Sequence, residues 1–130
     1  MKTLIVEDDF TSRVILQSFL SRFGDCHIAV NGNEAVQAFQ RAREDGTQYD
    51  VICMDIMMPD MDGQEALREI RRQEELQRVP MAEAAKIIMT TALSGNENVI
   101  TAYREQCDAY LFKPIDTNKL LATLKLFRLA

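Results

Sequence analysis

Five short apolar runs, each followed by a longer stretch, divide this chain of 130 residues into repeating units. The runs are Leu4-Ile5-Val6, Cys26-His27-Ile28-Ala29-Val30, Val51-Ile52-Cys53-Met54, Ile87-Ile88-Met89 and Ala109-Tyr110-Leu111-Phe112. Runs of this length with little polar interruption suit strands buried on both faces, and the longer stretches between them suit helices. Strand–helix repeats in series imply a parallel sheet covered by helices on both faces, and right-handed crossovers prune the possible topologies. The expected fold is α/β: a doubly wound (βα)5 domain with a five-stranded parallel sheet in the order 2-1-3-4-5.

The intervening stretches carry helix signals. Thr11 or Ser12 can cap a first helix with apolar residues at Val14, Ile15, Phe19, Leu20 and Phe23, stopped by Gly24. Asn31-Gly32-Asn33 is turn chemistry, and Ala35, Val36, Ala38, Phe39 and Ala42 form the stripe of a second helix that ends near Gly46. Pro59 and Gly63 punctuate the loop after the third strand. A third helix turns Ala66, Leu67 and Ile70 inward, with Arg68, Glu69, Arg71, Arg72, Glu74 and Glu75 as its solvated side. Asn96 to Cys107 forms a fourth helix. Asp116 or Thr117 caps a last one with Leu120, Leu121, Leu124 and Phe127 inside. No linker or repeat interrupts the series, so residues 1–130 read as a single domain with no output domain attached.

Charge and cysteine usage exclude several function classes. A net charge of −5 with no basic run argues against direct nucleic-acid binding. No apolar stretch approaches the ~18 residues of a membrane span, and Thr3-Leu4-Ile5-Val6 is too short for a signal-peptide core. The expected location is cytoplasmic, without membrane insertion. Cys26, Cys53 and Cys107 form no metal-binding spacing and read as reduced, small hydrophobic residues. His27, the only histidine, reads as an exposed strand residue and leaves little scope for a histidine-based hydrolase.

The chemistry gathers at the carboxyl ends of the strands, where open α/β sheets bind ligands. Strand 1 ends in Glu7-Asp8-Asp9 and strand 3 in Asp55, on neighbouring strands of the expected sheet. Clustered carboxylates resist joint ionisation unless a cation sits among them, and all-oxygen donors suit Mg²⁺. Strand 4 ends in Thr90-Thr91-Ala92 and strand 5 in Lys113-Pro114, where the proline restricts the lysine to extended geometry. Acids, a hydroxyl and an ammonium along one sheet edge match phosphoryl transfer. That chemistry needs alignment and charge neutralisation more than covalent assistance. A carboxylate can attack phosphorus and become an acyl phosphate.

These residues resemble the receiver domain of two-component response regulators, a CheY-like family. Four pieces carry the resemblance: Leu4–Asp9, Met54–Gly63, Met89–Ala92 and Asp108–Pro114. It implies that Asp55 is the phosphoacceptor and that Glu7, Asp8, Asp55 and the Met57 main-chain carbonyl hold Mg²⁺. Glu7 and Asp8 are chosen over Asp8 and Asp9 because Arg13 then falls where the family often has arginine; Asp9 remains an outer group. Thr91, Ala92 and Lys113 would bind the phosphoryl group, with Thr91 and Tyr110 as the switch pair. Thr90 points its side chain opposite to that of Thr91 and reads as packing, while Asp60 and Asp62 serve turns.

The resemblance also implies a phosphohistidine donor, either a histidine kinase or a histidine phosphotransfer protein. It implies a downstream protein target addressed through the face built from the fourth helix, fifth strand and last helix. Phosphorylation-dependent homodimers and onward phosphorelay are further readouts it allows. The receiver would catalyse only its own phosphorylation and dephosphorylation.

Three other readings compete. A flavodoxin-like cofactor protein shares the topology, but Glu7-Asp8-Asp9 would repel a flavin phosphate. An aspartate-nucleophile phosphatase typically has a second acid where Met57 stands. A phosphorylation-independent interaction module has no need of Glu7, Asp8, Asp55, Thr91 and Lys113 together. Two features depart from the family pattern. The stretch Leu76 to Ala85 is long, and Met57 and Leu93 are apolar at positions where the family's side chains influence water access to the acyl phosphate. Replacing Met57 and Leu93 together by polar residues is expected to speed loss of phosphate. A decay time course on phosphorylated protein checks this, and an unchanged rate refutes the shielding.

Overall fold

Alternation along the strands sorts the core into two layers. The computed structural model describes residues 1–58, 60–92, 101–102 and 105–130. Its strands are β1 (Thr3–Val6), β2 (Cys26–Ala29), β3 (Val51–Asp55), β4 (Lys86–Thr91) and β5 (Ala109–Phe112). The helices are α1 (Phe10–Leu20), α2 (Gly32–Glu44), α3 (Gly63–Leu76) and α4 (Thr117–Leu126). The sheet is parallel in the order β2-β1-β3-β4-β5, as the strand–helix repeat predicts. The helix expected over Asn96–Cys107 lies largely outside the described residues. Thr101 and Ala102 are helical, and Glu105 N–H donates to the Thr101 carbonyl at 2.9 Å.

Leu4, Val6, Ile52, Met54, Ile87 and Met89 face one side of the sheet and pack with Ala35, Val36 and Phe39 of α2 and with Ala66, Leu67 and Ile70 of α3. Ile5, Val51, Cys53 and Ile88 face the other, against Leu16 and Leu20 of α1 and Leu120 and Leu124 of α4. The α1 stripe differs from the sequence expectation. Val14 is exposed, and the buried positions are Ser12, Leu16 and Leu20, four residues apart, with Ile15, Phe19 and Phe23 partly buried beside them. Burial pushes the Cys53 thiol up to about 12 and the Cys107 thiol up to about 11, so both stay protonated packing groups. His27 is exposed on β2 as expected, with Nδ1 2.8 Å from the Tyr49 hydroxyl.

Acidic and amide side chains start the helices. Asp9 caps α1 by accepting from Ser12 N–H at 2.9 Å, displacing the expected Thr11 or Ser12. Asn31 and Asp62 do the same for α2 and α3, each at 2.9 Å, so Asn31 and Asp62 are caps rather than simple turn residues. Asp116 caps α4 as expected.

The long stretch from Leu76 to Ala85 leaves the helix at once. Gln77 closes α3, Arg78 takes φ 57°, a single 3-10 turn spans Met81–Glu83, and Met81 is 90% exposed. Its return to the sheet is fixed by two residues expected on the solvated side of α3. Glu74 is buried and accepts from Ala85 N–H at 2.9 Å. Arg71 donates to the Ala85 carbonyl at 2.9 Å, the Gln106 carbonyl at 2.9 Å, Glu74 at 2.6 Å and Asp108 at 2.7 Å. Asp108 also accepts from Ile87 N–H at 2.8 Å. A helical wheel places both residues by their charge, but long side chains bend back to meet buried backbone groups, which need partners.

Phe39, 2% exposed, is among the largest fully buried side chains beneath α2. Phe39→Ala should destabilise the fold by about 3–5 kcal/mol, measured as a lower urea midpoint at unchanged denaturant slope.

Candidate functional site

Three strand ends meet at one salt bridge. Lys113, directly after β5, places its ammonium 2.8 Å from Glu7 Oε1 after β1 and 3.1 Å from Asp55 Oδ2 at the end of β3. Glu7 is fully buried and Asp55 is 4% exposed. Main-chain groups hold the rim: Lys113 N–H donates to the Thr91 carbonyl at 2.8 Å, Ile56 N–H to the Thr90 carbonyl at 3.0 Å, and Met57 N–H to Asp55 Oδ1 at 3.3 Å. The Lys113–Pro114 peptide is cis. Glu7 Oε1 also accepts from Asp9 N–H at 3.1 Å, and the Arg13 guanidinium donates to the Glu7 carbonyl at 3.3 Å.

The electrostatics follow from burial. Desolvation pushes the Glu7 carboxyl up to about 7, with the Asp55 charge adding to the rise and the Lys113 hydrogen bond opposing it. For Lys113, burial works against the charge, but the hydrogen bonds to Glu7 and Asp55 outweigh it and the pKa rises. Glu7 Oε2 is buried with no hydrogen-bond partner among the described residues. One carboxylate oxygen each from Glu7, Asp8 and Asp55 lie within 4.8 Å of one another, with Asp8 exposed at the mouth. Two buried acids, an exposed third and an unused oxygen form a hard, anionic donor set that fits a divalent cation.

Of the residues expected here from sequence, Glu7, Asp8, Asp55 and Lys113 converge. Thr91 ends β4 fully buried, and Ala92 follows it exposed. Met57 lies beside Asp55 with its side chain 62% exposed. Tyr110 packs partly buried against the α2/α3 core, its ring centroid 5.2 Å from that of Phe112, and burial raises its hydroxyl pKa. Leu93 lies outside the described residues. A groove of ≈ 650 Å³ between β2 and α2, lined by Lys2, His27, Glu34, Arg41 and Tyr49 among others, includes none of Glu7, Asp8, Asp55 and Lys113.

The family model of the response regulator receiver domain matches residues 3–125. The chain belongs to this receiver family. The regulatory protein VanRB of Enterococcus faecalis (strain ATCC 700802 / V583) is 34% identical over 122 residues, 93% of this chain and 49% of that protein. Among solved structures, one is the receiver domain of the sensor histidine kinase PA1611 from Pseudomonas aeruginosa PAO1, with a magnesium ion coordinated in its active site cleft. It is 30% identical with a TM-score of 0.77, covering 97% of this chain and 95% of that one. Another is the Saccharomyces cerevisiae receiver domain of Ssk1, crystallised with the histidine phosphotransfer protein Ypd1. It is 28% identical with a TM-score of 0.82, covering 98% of this chain and 88% of that one. The chain spans about half the length of several curated relatives it matches. Among the described residues, no helix of the receiver is long and apolar enough to cross a membrane.

Two residues that sequence reasoning did not place at the receiver's site stand beside Asp55. Gly63 is one: it donates its N–H to the Ile56 carbonyl at 2.9 Å, and a Cβ there would run into the Asp55 carbonyl. Its position at a helix start signals a turn, and only the folded loop shows the close backbone approach. Thr90 is the other. Register pairs it with Asp55, and Asp55 and Thr90 each follow a residue of the α1/α4 layer by two positions, Cys53 and Ile88. Thr90 therefore shares the face of Asp55, and Thr91 the opposite face. The expected opposition of the two threonines holds, but the one read as mere packing stands beside the aspartate. Gly63→Ala should push the Asp55 backbone aside and cost about 1–3 kcal/mol, read as a lower melting temperature, with displaced Asp55 and Ile56 amide resonances.

Proposed function

We propose that the chain is a phosphorylation switch whose Asp55 takes a phosphoryl group from a phosphohistidine donor, a histidine kinase or a histidine phosphotransfer protein. One observation carries this reading: a nearly buried Asp55 is paired with Lys113 at 3.1 Å and grouped with the oxygens of Glu7 and Asp8. The Ssk1 receiver's complex with Ypd1 supports a donor of this class.

An Asp55 carboxylate oxygen attacks phosphorus, forming an O–P bond as the P–N bond to the donor imidazole breaks; the electron pair leaves with that nitrogen, which takes up a proton. The product is an acyl phosphate. Glu7, Asp8, Asp55 and the Met57 carbonyl would hold Mg²⁺, which when bound neutralises phosphoryl charge. Lys113 supplies positive charge from the β5 side, and the Thr91 hydroxyl and Ala92 N–H donate to phosphoryl oxygens beyond the strand ends. The new group carries about −1.5 to −2 charge, which draws Lys113 and Thr91 toward it. Thr91 and Tyr110 share one sheet face, so motion of the threonine changes the space available to the ring. The readout is binding of a downstream protein or self-association through the side of the domain that includes β5. Thiols held free and largely buried suit a reducing, cytoplasmic setting.

Incubation with Mg²⁺ and acetyl phosphate should add one phosphoryl group to the intact protein. Asp55→Ala or chelation of the metal should abolish it. An equal mass gain in Asp55→Ala would move the acceptor elsewhere and overturn the reading.

A further inference from the structure

We infer that Thr90 is a positioning residue for Asp55, its hydroxyl orienting the carboxylate that attacks phosphorus; this rests on the phosphoacceptor reading above. Thr90 is 1% exposed, and its Oγ1 has no hydrogen-bond partner among the described residues. It is the register partner of Asp55, so the two residues stand side by side on one sheet face, about 4.8 Å apart between strands. Glu7 follows Ile5 by two positions and joins the same row, and its Oε2 is likewise buried and unpartnered. The row from β1 to β4 thus runs carboxylate, carboxylate, hydroxyl, over a largely apolar layer that includes Ile5, Cys53, Ile88 and Leu120.

The Thr3 hydroxyl is also buried and unpartnered on this face, but its register partner on β3 is Val51, whereas the Thr90 hydroxyl stands beside a carboxylate. Valine has nearly the same shape and would pack there without burying an unused donor and acceptor. Asp55 has the acceptor capacity to use it. A carboxylate offers about four lone-pair sites, while among the described residues its polar contacts are Lys113 on Oδ2 and a long bond from Met57 N–H on Oδ1. Both come from the mouth side or the loop. Thr90 Oγ1 makes no direct hydrogen bond to the carboxylate in the structure; it is a donor held within the sheet that reaches the carboxylate by rotation of its side chain or through one buried water. Its main chain is already tied to the same place, since its carbonyl accepts from Ile56 N–H. When Lys113 turns to the incoming phosphoryl oxygens, Thr90 keeps the plane of the carboxylate fixed, so the attacking oxygen stays in line. Thr90 transfers no proton and touches no donor molecule.

The test compares the full chain with Thr90→Val, Thr90→Ser and Thr90→Ala, using Mg²⁺ and a concentration series of acetyl phosphate, with intact mass read over time. Thr90→Val should lower the maximal phosphorylation rate about three- to tenfold, the loss of one hydrogen bond. The half-saturating acetyl phosphate concentration should not change, and Thr90→Ser should stay within about twofold of the parent. A Thr90→Val protein as fast as the parent overturns the inference, whether or not its melting temperature rises. A Thr90→Ser protein as slow as Thr90→Val also overturns it, because side-chain shape and not the hydroxyl would then set the rate. Should Thr90→Val not fold, Thr90→Ala against Thr90→Ser decides by the same rule: a slow alanine variant with a normal serine variant supports the role, and equal rates refute it. If the parent itself gains no phosphoryl group at Asp55, the reading of Asp55 fails first and this inference with it; that result is distinct from equal rates among phosphorylated variants.

Discussion

One ammonium group keeps two buried acids together. Glu7 and Asp55 sit on adjacent strands, nearly sealed from solvent, and two carboxylates so placed repel. Lys113 reaches both from the next strand but one, within 3.1 Å of each. The sheet order makes this bridge possible, because it brings the residues just past β1 and β5 to the same edge as the end of β3. Removing one member of a buried ion pair leaves the other charge uncompensated, which costs far more than the pair contributes. The strand ends and the Asp9 cap, whose N–H also donates to Glu7, are therefore joined through the same buried carboxylate.

The alternation of side chains gives neighbouring residues on one strand different surroundings. Asp55 belongs with α1 and α4, while Met54 beside it belongs with α2 and α3. The same holds for the threonine pair of β4. The rim is thus continuous with both helical layers through adjacent residues of the same strand. Receiver domains are signalling domains, and in this one the rim adjoins both helical layers.

Much of the architecture was legible in the sequence because the local signals agree. The five apolar runs became strands in the expected order, and Glu7, Asp8, Asp55 and Lys113 met because each lies at or just past the end of a strand. What escaped depends on close approach or on side-chain reach. Arg71 and Glu74 look solvated by charge but fold back onto buried backbone. Gly63 looks like a turn residue but makes room for the Asp55 carbonyl. Asp9 outcompeted Thr11 and Ser12 as a cap because the helix begins at Phe10, two or three residues earlier than a cap at Thr11 or Ser12 would start it. Thr90 was placed on the correct side relative to Thr91, yet which side holds the aspartate emerges only from the β3–β4 register.

The contacts of Arg71 and Glu74 have a consequence for how the family pattern tolerates a long excursion after α3. Between them they take both the N–H and the carbonyl of Ala85, the residue at which the chain re-enters the sheet. A slip of one residue in a strand exchanges its two faces entirely, and in β4 it would swap Thr90 for Thr91 beside Asp55. With Ala85 clamped to α3, the phase of β4 is set before the strand begins. Extra length between Gln77 and Ala84 is taken up outside, as exposed chain around Met81, and never propagates to the rim. The clamp works as an index mark: it separates how long the excursion is from which threonine stands beside the aspartate.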